Sequence, residues 1–221
     1  MKIISMGDGG TGKSCLIKRF CEGKVRGDCA HTPARRRRRL TSLLPAPASA
    51  PPHAALLHTH THTLTHSLTR ARTHVRTLQF VSRYISTIGI DFGVKPVRIG
   101  EADVRVNFWD LSGHPEFFEV RNEFYKDTQG GILVYDAGSK RSFEALEGWL
   151  RESAKFGGGD VPLVVCANKV DKRRAVSEAE GRAWAEGRGF PYFETSAESG
   201  ANVSAAFEEL FKQAWQQVSG K

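Results

Sequence analysis

The chain has 221 residues, of which 40% are hydrophobic and 25% are charged. This length and composition fit one globular domain, alone or with an extension, and exclude a chain too polar to build a core. The formal net charge of +8 is typical of a nucleic-acid-binding protein, but residues 25–79 hold nine Arg and one Asp. The rest of the chain carries 23 basic and 23 acidic groups. We therefore expect no nucleic acid partner for the folded part.

Signals for membrane insertion or export are not found in the sequence. No apolar run is long enough to cross a bilayer, and the six residues before the first glycine-rich turn are too few for a signal peptide. The four Cys lack metal-ligand spacing, which favours reduced thiols, and residues 218–221 offer no Cys for prenylation. We expect a cytoplasmic protein, which a nuclear location would also fit, without a lipid or other membrane anchor and monomeric.

Strands and helices alternate along the chain outside residues 25–79, which predicts a doubly wound α/β domain. Pro96 lacks an amide donor, so its strand belongs at a sheet edge. Ser177 is a plausible helix cap, with Glu180 three residues later. We predict strands over residues 3–6, 91–99, 104–109, 131–135, 163–166 and 192–193, and helices over residues 13–22, 142–156, 177–187 and 203–218.

Residues 7–14 read GDGGTGKS and match the phosphate-loop pattern G-x-x-x-x-G-K-[ST] between a predicted strand and a predicted helix. The glycines let backbone N–H groups converge on phosphate oxygens. Lys13 would neutralise the β- and γ-phosphates, and the Ser14 hydroxyl would bind Mg²⁺. The alternative, an ordinary glycine-rich turn, does not explain the strand-loop-helix context. The proposed phosphate-binding residues are Gly7, Asp8, Gly9, Gly10, Thr11, Gly12, Lys13, Ser14 and Cys15.

Three further polar motifs follow predicted strands. Residues 110–113 read DLSG, where Asp110 can hold Mg²⁺ through water and the Gly113 amide can reach a γ-phosphate. Residues 168–171 read NKVD, and the Asp171 carboxylate can accept the N1–H and the 2-amino group of guanine together. Adenine offers neither donor, so this residue would set base identity. Each motif alone could be a polar surface turn. The remaining candidates at the base are Asn168, which can brace the loop, Lys169, whose stem can cover the base, and Ser196, Ala197 and Glu198 of residues 195–198 (TSAE), whose amides could meet the guanine carbonyl.

The four motifs, in this order, resemble those of the Ras-superfamily small GTPases, and within them the Rab branch. Residues 113–115, 119–130 and 166–169 resemble most specifically the Rab-like group whose animal members carry a C-terminal J domain. The resemblance covers the chain outside residues 25–79. It implies a P-loop GTPase fold with a mostly parallel six-stranded sheet and helices on both faces. It also implies GTP or GDP with Mg²⁺ as cofactors, and effectors, exchange factors and GTPase-activating proteins binding through two switch regions. We expect no J domain, because the chain stops after the last predicted helix.

One position departs from this family pattern in a way that bears on catalysis. The residue after D-x-x-G is usually a Gln that orients the attacking water, but here it is His114. Imidazole has a shorter reach and must be in the right tautomer, and Pro115 restricts His114 to extended backbone. We predict slow hydrolysis with a dominant GTP state; the alternative is that His replaces Gln with little loss. Gly9 leaves room for an arginine from a partner.

Residues 25–79 interrupt the position of the first switch. If Lys24 is joined to Phe80, Phe80 follows Lys13 by 12 positions and Thr87 by 19. The resemblance places at these spacings the aromatic residue that packs on guanine and the Thr that binds Mg²⁺ and senses the γ-phosphate. We therefore assign residues 1–24 and 80–221 to the GTPase domain. The resemblance implies Lys13, Thr87 and His114 as catalytic residues, and Ser14, Thr87 and Asp110 as metal ligands.

The inserted residues have an unusual composition. They contain seven of the eight His, five of the nine Pro and no Phe, Trp or Tyr, which predicts a disordered low-complexity segment. Residues 58–63 alternate His and Thr, as a CA dinucleotide repeat encodes. The codons for residues 25–26 can begin with GT and the codon for residue 79 can end in CAG, as the two ends of an intron would. We interpret the segment as a translated intron or a gene-model artefact. The alternatives are nucleic acid or lipid binding by the five Arg at 35–39, or metal binding by the His-Thr tract.

Partner binding is a second possible role for the switch regions. We expect the first switch at Thr87 and the second switch over residues 110–125. A GTP-bound adaptor that does not hydrolyse would act through Ile88, the strand after it and the second switch. The candidate contacts there are Phe117, Phe118 and Tyr125, for which core packing is the alternative.

Overall fold

The computed structural model describes residues 1–22 and 86–220. The segment 25–79 and the guanine-packing candidate Phe80 lie outside these residues. The strands are β1 (Lys2–Met6), β2 (Ile90–Ile99), β3 (Ala102–Leu111), β4 (Gly130–Asp136), β5 (Leu163–Asn168) and β6 (Tyr192–Thr195). The α-helices are α1 (Lys13–Glu22), α2 (Phe118–Asn122), α3 (Lys140–Glu144), α4 (Leu146–Lys155), α5 (Glu178–Glu186) and α6 (Val203–Ser219), and a 3₁₀ turn over Pro115–Phe117 precedes α2.

All six strands join one sheet in the order β2-β3-β1-β4-β5-β6. Only the β2–β3 hairpin is antiparallel, and the other neighbours are parallel. The predicted mostly parallel six-stranded sheet is therefore confirmed. Pro96 lies in β2 at the sheet edge, as the missing amide donor required.

Helices cover both faces of the sheet and divide the core into two apolar clusters. On one face, Phe20 of α1 packs against Phe207 and Phe211 of α6, with ring centroids 4.6 and 5.5 Å apart. On the other face, Leu146 and Trp149 of α4 pack against the sheet. The last helix, α6, was predicted over residues 203–218, and it buries Val203, Phe207, Leu210, Phe211 and Ala214 against the sheet.

Several element boundaries differ from the sequence predictions. The helix expected over residues 142–156 is divided at Ala145, where the Gly148 N–H bonds a carbonyl only three residues back. β3, β5 and β6 extend beyond their predicted ends, so that Asp110, Asn168 and Thr195 are the last or next-to-last residues of strands. The reason is pairing with a neighbour, since Ser5 is in register with Asp110 and Asn168 with Thr195.

No helix in residues 1–22 or 86–220 is both long and apolar enough to cross a membrane.

Candidate functional site

The loop over residues 7–14 joins β1 to α1 and has the backbone that its glycines permit. Gly7 and Gly12 have φ values of +137° and +94°. A Cβ at Gly7 would lie 2.1 Å from the Val134 carbonyl oxygen, and one at Gly12 would lie 2.3 Å from Asn168 Nδ2. Both positions therefore require glycine for conformation and for space. Cys15 follows in the first turn of α1 as an exposed free thiol.

Lys13 crosses the inside of this loop. Its Nζ donates hydrogen bonds to the Gly7 carbonyl at 2.7 Å and to the Asp8 carbonyl at 3.1 Å. Burial lowers the pKa of Lys13 to about 8, while the nearby carboxylates of Asp110 and Asp8 act in the opposite direction. An ammonium group held this way is positioned to neutralise an anion in the loop.

The three predicted metal ligands come together beside Lys13. Ser14 Oγ lies 2.9 Å from Thr87 Oγ1 and also donates to Asp110 Oδ2. Thr87 Oγ1 donates to the same carboxylate oxygen at 3.3 Å. Ser5 Oγ binds the other oxygen, Oδ1, at 2.6 Å and so orients the buried Asp110 side chain. Two hydroxyls and one carboxylate form an all-oxygen donor set, which is the chemistry that Mg²⁺ prefers.

The segment after Asp110 lies against the phosphate loop. A Cβ on Gly113 would be 2.2 Å from the Gly9 backbone nitrogen. The next residue, His114, has φ −82° and ψ 137°, which confirms the extended geometry expected before Pro115. Its imidazole is about half exposed, with Nδ1 3.8 Å from a Glu116 carboxylate oxygen.

A cleft of about 440 Å³ opens between this segment, the phosphate loop and α3. Gly9, Gly10 and His114 line it, together with Arg141, which was not among the predicted site residues. No sequence motif marks Arg141, because its place in the cleft depends on the packing of α3.

On the other side of the loop, Asn168 connects two of the predicted base-binding segments. It is fully buried, and its Nδ2 donates to the Thr11 carbonyl at 2.8 Å. Its Oδ1 accepts from the Ala197 N–H at 3.3 Å and from Thr195 Oγ1 at 3.4 Å. The predicted bracing role of Asn168 matches this geometry, whereas the Ala197 amide, expected to face the base, bonds Asn168.

The remaining base-side residues surround this connection. Lys169 has φ +64°, and its Nζ forms an ion pair with Asp136 at 2.8 Å. Arg19 of α1 donates to the Ala197 carbonyl at 2.8 Å and also to the Glu198 carbonyl. Asp171 is exposed. Ser196 is buried, and its Oγ accepts from the Ser199 N–H at 3.0 Å.

Comparison with known proteins agrees with this arrangement. Residues 72–216, more than half of the chain, match the model of the Ras family. The chain belongs to the Ras family. It is similar to DnaJ homolog subfamily C member 27 of Homo sapiens, Rattus norvegicus and Danio rerio, each 40% identical over 218 residues. The alignments include 96% of this chain and 60% of the relatives, so the chain spans about 60% of their length.

The resemblance drawn from the four motifs is thus confirmed, and the chain contains a Ras-family small GTPase domain. The family match begins after the phosphate loop, residues 7–14, whose assignment therefore follows from its motif and its geometry.

The predicted partner contacts of this Ras-family domain divide into two groups. Ile88 is 83% exposed and Phe118 is 39% exposed, so both can meet a partner, and Phe117 is half-buried. Tyr125 has no exposed surface, and its prediction as a contact is wrong. The reason is that its hydroxyl donates to Glu152 of α4 at 2.7 Å beneath the second switch.

Sequence reasoning also missed a polar cluster under the second switch. Arg121, Glu152 and Trp149 are nearly buried there. Arg121 forms an ion pair with Glu152 and donates to the His114 carbonyl, and Trp149 packs on the guanidinium and donates to Asp8 of the phosphate loop. No sequence motif marks the cluster, because Arg121 stands among other polar residues, Glu119, Asn122 and Glu123.

Proposed function

We propose that this Ras-family domain binds GTP and GDP with Mg²⁺ and works as a molecular switch. One observation carries the proposal: the Ser14 and Thr87 hydroxyls and the Asp110 carboxylate meet beside the buried Lys13 ammonium. These groups come from parts of the chain up to 96 residues apart. Core packing alone gives no reason for a buried lysine, a carboxylate and two hydroxyls to converge next to a glycine-rich loop.

The residues fit a bound magnesium ion. Ser14, Thr87 and Asp110 would hold it, and when bound it would offset phosphate charge. Thr87 would then be held at the site when a γ-phosphate is bound and released when it is absent. The conformation of the first switch would therefore differ between the GTP-bound and GDP-bound forms.

Guanine selectivity is proposed for Asp171, with Lys169 and Asn168 placing the loop around the base. The bonds from Asn168 to Thr11 and Ala197 support this role, since they join the phosphate side of the site to the base side. A buried amide with all of these bonds is costly to replace, because each lost partner leaves a buried polar group unsatisfied.

We further propose that intrinsic hydrolysis is slow. His114 stands at the position of the water-orienting residue, but its side chain is half exposed beside Glu116, and its backbone is extended. The GTP-bound form would then dominate unless a partner supplies an arginine past Gly9, which is exposed.

A non-hydrolysing, GTP-bound adaptor is the second candidate function. It is favoured by three exposed apolar side chains near the two switches: Ile88, Phe118 and Val120, at 83%, 39% and 49% exposure. In either function, effectors, exchange factors and activating proteins are the expected partners, binding as the switches change.

The test is to identify the nucleotide that the protein carries. The full chain is purified with Mg²⁺ and denatured, and the released nucleotide is identified beside that of a Lys13→Ala control. Mostly GTP supports slow hydrolysis, and mostly GDP shows that His114 functions in a cycling switch. If the wild-type chain releases no more nucleotide than the control and binds no added fluorescent GDP, the proposed function is wrong.

A further inference from the structure

Arg121 donates hydrogen bonds to the backbone carbonyls of the two residues on either side of Gly113. Its Nη1 donates to the His114 carbonyl at 2.9 Å and to the Ser112 carbonyl at 3.4 Å. Its Nε and Nη2 donate to the two carboxylate oxygens of Glu152 at 2.5 and 2.7 Å. One guanidinium therefore links the D-x-x-G segment directly to α4.

The surroundings of Arg121 are tightly packed and largely closed to water. The Arg121 and Glu152 side chains are 7% and 12% exposed. The Arg121 guanidinium carbon lies 4.4 Å from the Trp149 ring centroid and 5.4 Å from that of Phe118. Tyr125 Oη donates to Glu152 at 2.7 Å, so the acceptor carboxylate is itself held in place.

The same cluster reaches the phosphate loop. Trp149 Nε1 donates to Asp8 Oδ1 at 2.9 Å. Asp8 and Gly113 therefore take their positions from one set of buried contacts on α4. A buried ion pair is weak evidence for stability, since desolvation offsets much of the attraction. The hydrogen bonds from Arg121 to the Ser112 and His114 carbonyls instead indicate that it controls the backbone position of this segment.

We propose that Arg121 is a positioning residue that holds the Ser112–Gly113–His114 backbone against the phosphate loop by protein contacts alone. The segment is then in place whether or not a γ-phosphate is present. The nucleotide response is carried mainly by the Thr87 side of the site, where Thr87 and Ser14 are only half-buried. This inference rests on the proposed function for its nucleotide comparison, but not for the positioning itself.

Hydrogen exchange of the full chain tests the proposal, with peptides covering residues 110–125 followed in GDP and in a non-hydrolysable GTP analogue. The wild type should differ by less than about threefold between the two states. In the double variant Arg121→Met with Glu152→Leu, which removes the ion pair and leaves no buried unpaired charge, exchange with GDP should rise by about tenfold or more. With the GTP analogue the rise should be smaller, because the γ-phosphate can replace the lost contacts.

Two single variants separate geometry from charge and from general packing. Arg121→Lys keeps the charge but cannot span two carbonyls and two carboxylate oxygens, so it should exchange as fast as the double variant. Arg151→Ala on the exposed side of α4, where the arginine bonds only the Glu147 carbonyl among described contacts, should match the wild type. Peptides from β4 and β5 report whether any variant has lost its fold.

The proposal is overturned if wild-type exchange with GDP is already as fast as in the double variant, or if Arg121→Lys retains wild-type protection. Fluorescent GDP binding is measured on the same samples. If the wild type binds no GDP, the proposed function fails separately, and nucleotide-free exchange still decides the positioning role. If the double variant unfolds, the positioning role is decided by Arg121→Lys, measured by the same hydrogen exchange and the same fluorescent GDP binding.

Discussion

Gly113 and Gly148 show how differently two glycines can behave in one domain. A side chain at Gly113 would meet the phosphate-loop backbone, with Gly9 N at 2.2 Å and Asp8 C at 2.3 Å. Neither atom belongs to a flexible side chain, so the loop or the switch must move. At Gly148, inside α4, an added Cβ meets nothing within 4 Å.

We expect Gly148→Ala to raise the free energy of unfolding by about 0.5–1 kcal/mol, because alanine loses less backbone entropy in a helix. Chemical denaturation of the two proteins measures the difference. Gly113→Ala is the contrasting variant and should weaken binding of a GTP analogue. If Gly113→Ala binds the GTP analogue as tightly as Gly148→Ala does, the close approach to Gly9 does not restrict the side chain at residue 113.

His114 carries a second prediction at the same scale. His114→Gln should raise the single-turnover rate of GTP hydrolysis by about tenfold, because the longer amide can orient water where the half-exposed imidazole does not. Fluorescent GDP affinity should stay unchanged, since the proposed place of this side chain is at the γ-phosphate, which GDP lacks. A rate equal to or below that of the wild type would mean that histidine is a competent replacement.

At the scale of elements, the loops on the base side depend on an ion pair between distant segments. Arg174 follows the NKVD segment, and both of its terminal nitrogens bond the two carboxylate oxygens of Glu194 in β6. Tyr192 Oη also donates to Glu194 at 3.0 Å. The hydrogen bond from Arg174 is the main reason why the pKa of Glu194 lies below its ordinary value of 4.5.

A carboxylate with a lowered pKa stabilises the fold above its ordinary pKa, and the benefit is lost as the pH falls through the folded value. We expect Glu194→Gln to lower the melting temperature at pH 7 by about 1–3 °C, after allowance for the partly exposed Arg174. Below pH 4.5 the difference from wild type should shrink. Glu186→Gln, at an exposed α5 carboxylate 3.9 Å from Arg182, is the control and should change little at either pH. A gap that is constant with pH would contradict this account.

Helix α1 shows how an element end can be secured across the sheet. Lys95 of β2 is buried, and its Nζ donates to the Phe20 carbonyl at 2.6 Å and lies 4.0 Å from the Phe20 ring centroid. This contact satisfies a carbonyl in the last turn of α1, which has no partner within the helix. The edge strand and the helix therefore stabilise each other.

At the scale of the whole molecule, residues 25–79 lengthen the connection that brings Thr87 to the site. With these residues the loop has about sixty-seven residues, and without them about twelve. Closing the longer loop costs roughly 1.5 kcal/mol more in chain entropy. We expect joining Lys24 to Phe80 to improve the affinity for a GTP analogue relative to GDP by about tenfold. Titration of both proteins with fluorescent nucleotides measures this ratio.

A chain in which a Gly-Ser linker of equal length replaces residues 25–79 is the matched control. It should bind like the full chain, because only loop length enters the closure entropy. If the linker chain instead binds like the shortened one, the composition of the segment rather than its length limits the site.

Much of the fold could be predicted because local patterns encode it. Helix α1 begins and ends at the predicted residues, Ser177 caps α5 by accepting from the Glu180 N–H, and Pro96 places β2 at the edge. The boundaries that differ, at Ala145 and at the ends of β3 and β5, are set by pairing and packing with other elements. A single-residue break in helix bonding leaves no mark in the apolar periodicity.

The sequence by itself determined the phosphate loop, the order of the four motifs and the family, because glycine positions and strand-loop-helix spacing are local properties. Only the tertiary structure decided that Ser14, Thr87 and Asp110 share one point, and that Tyr125 is buried. It likewise decided the bonding of Arg121 to Glu152 and to the carbonyls around Gly113. These contacts join residues far apart in the chain, and their geometry exists only once the sheet and its helices have packed.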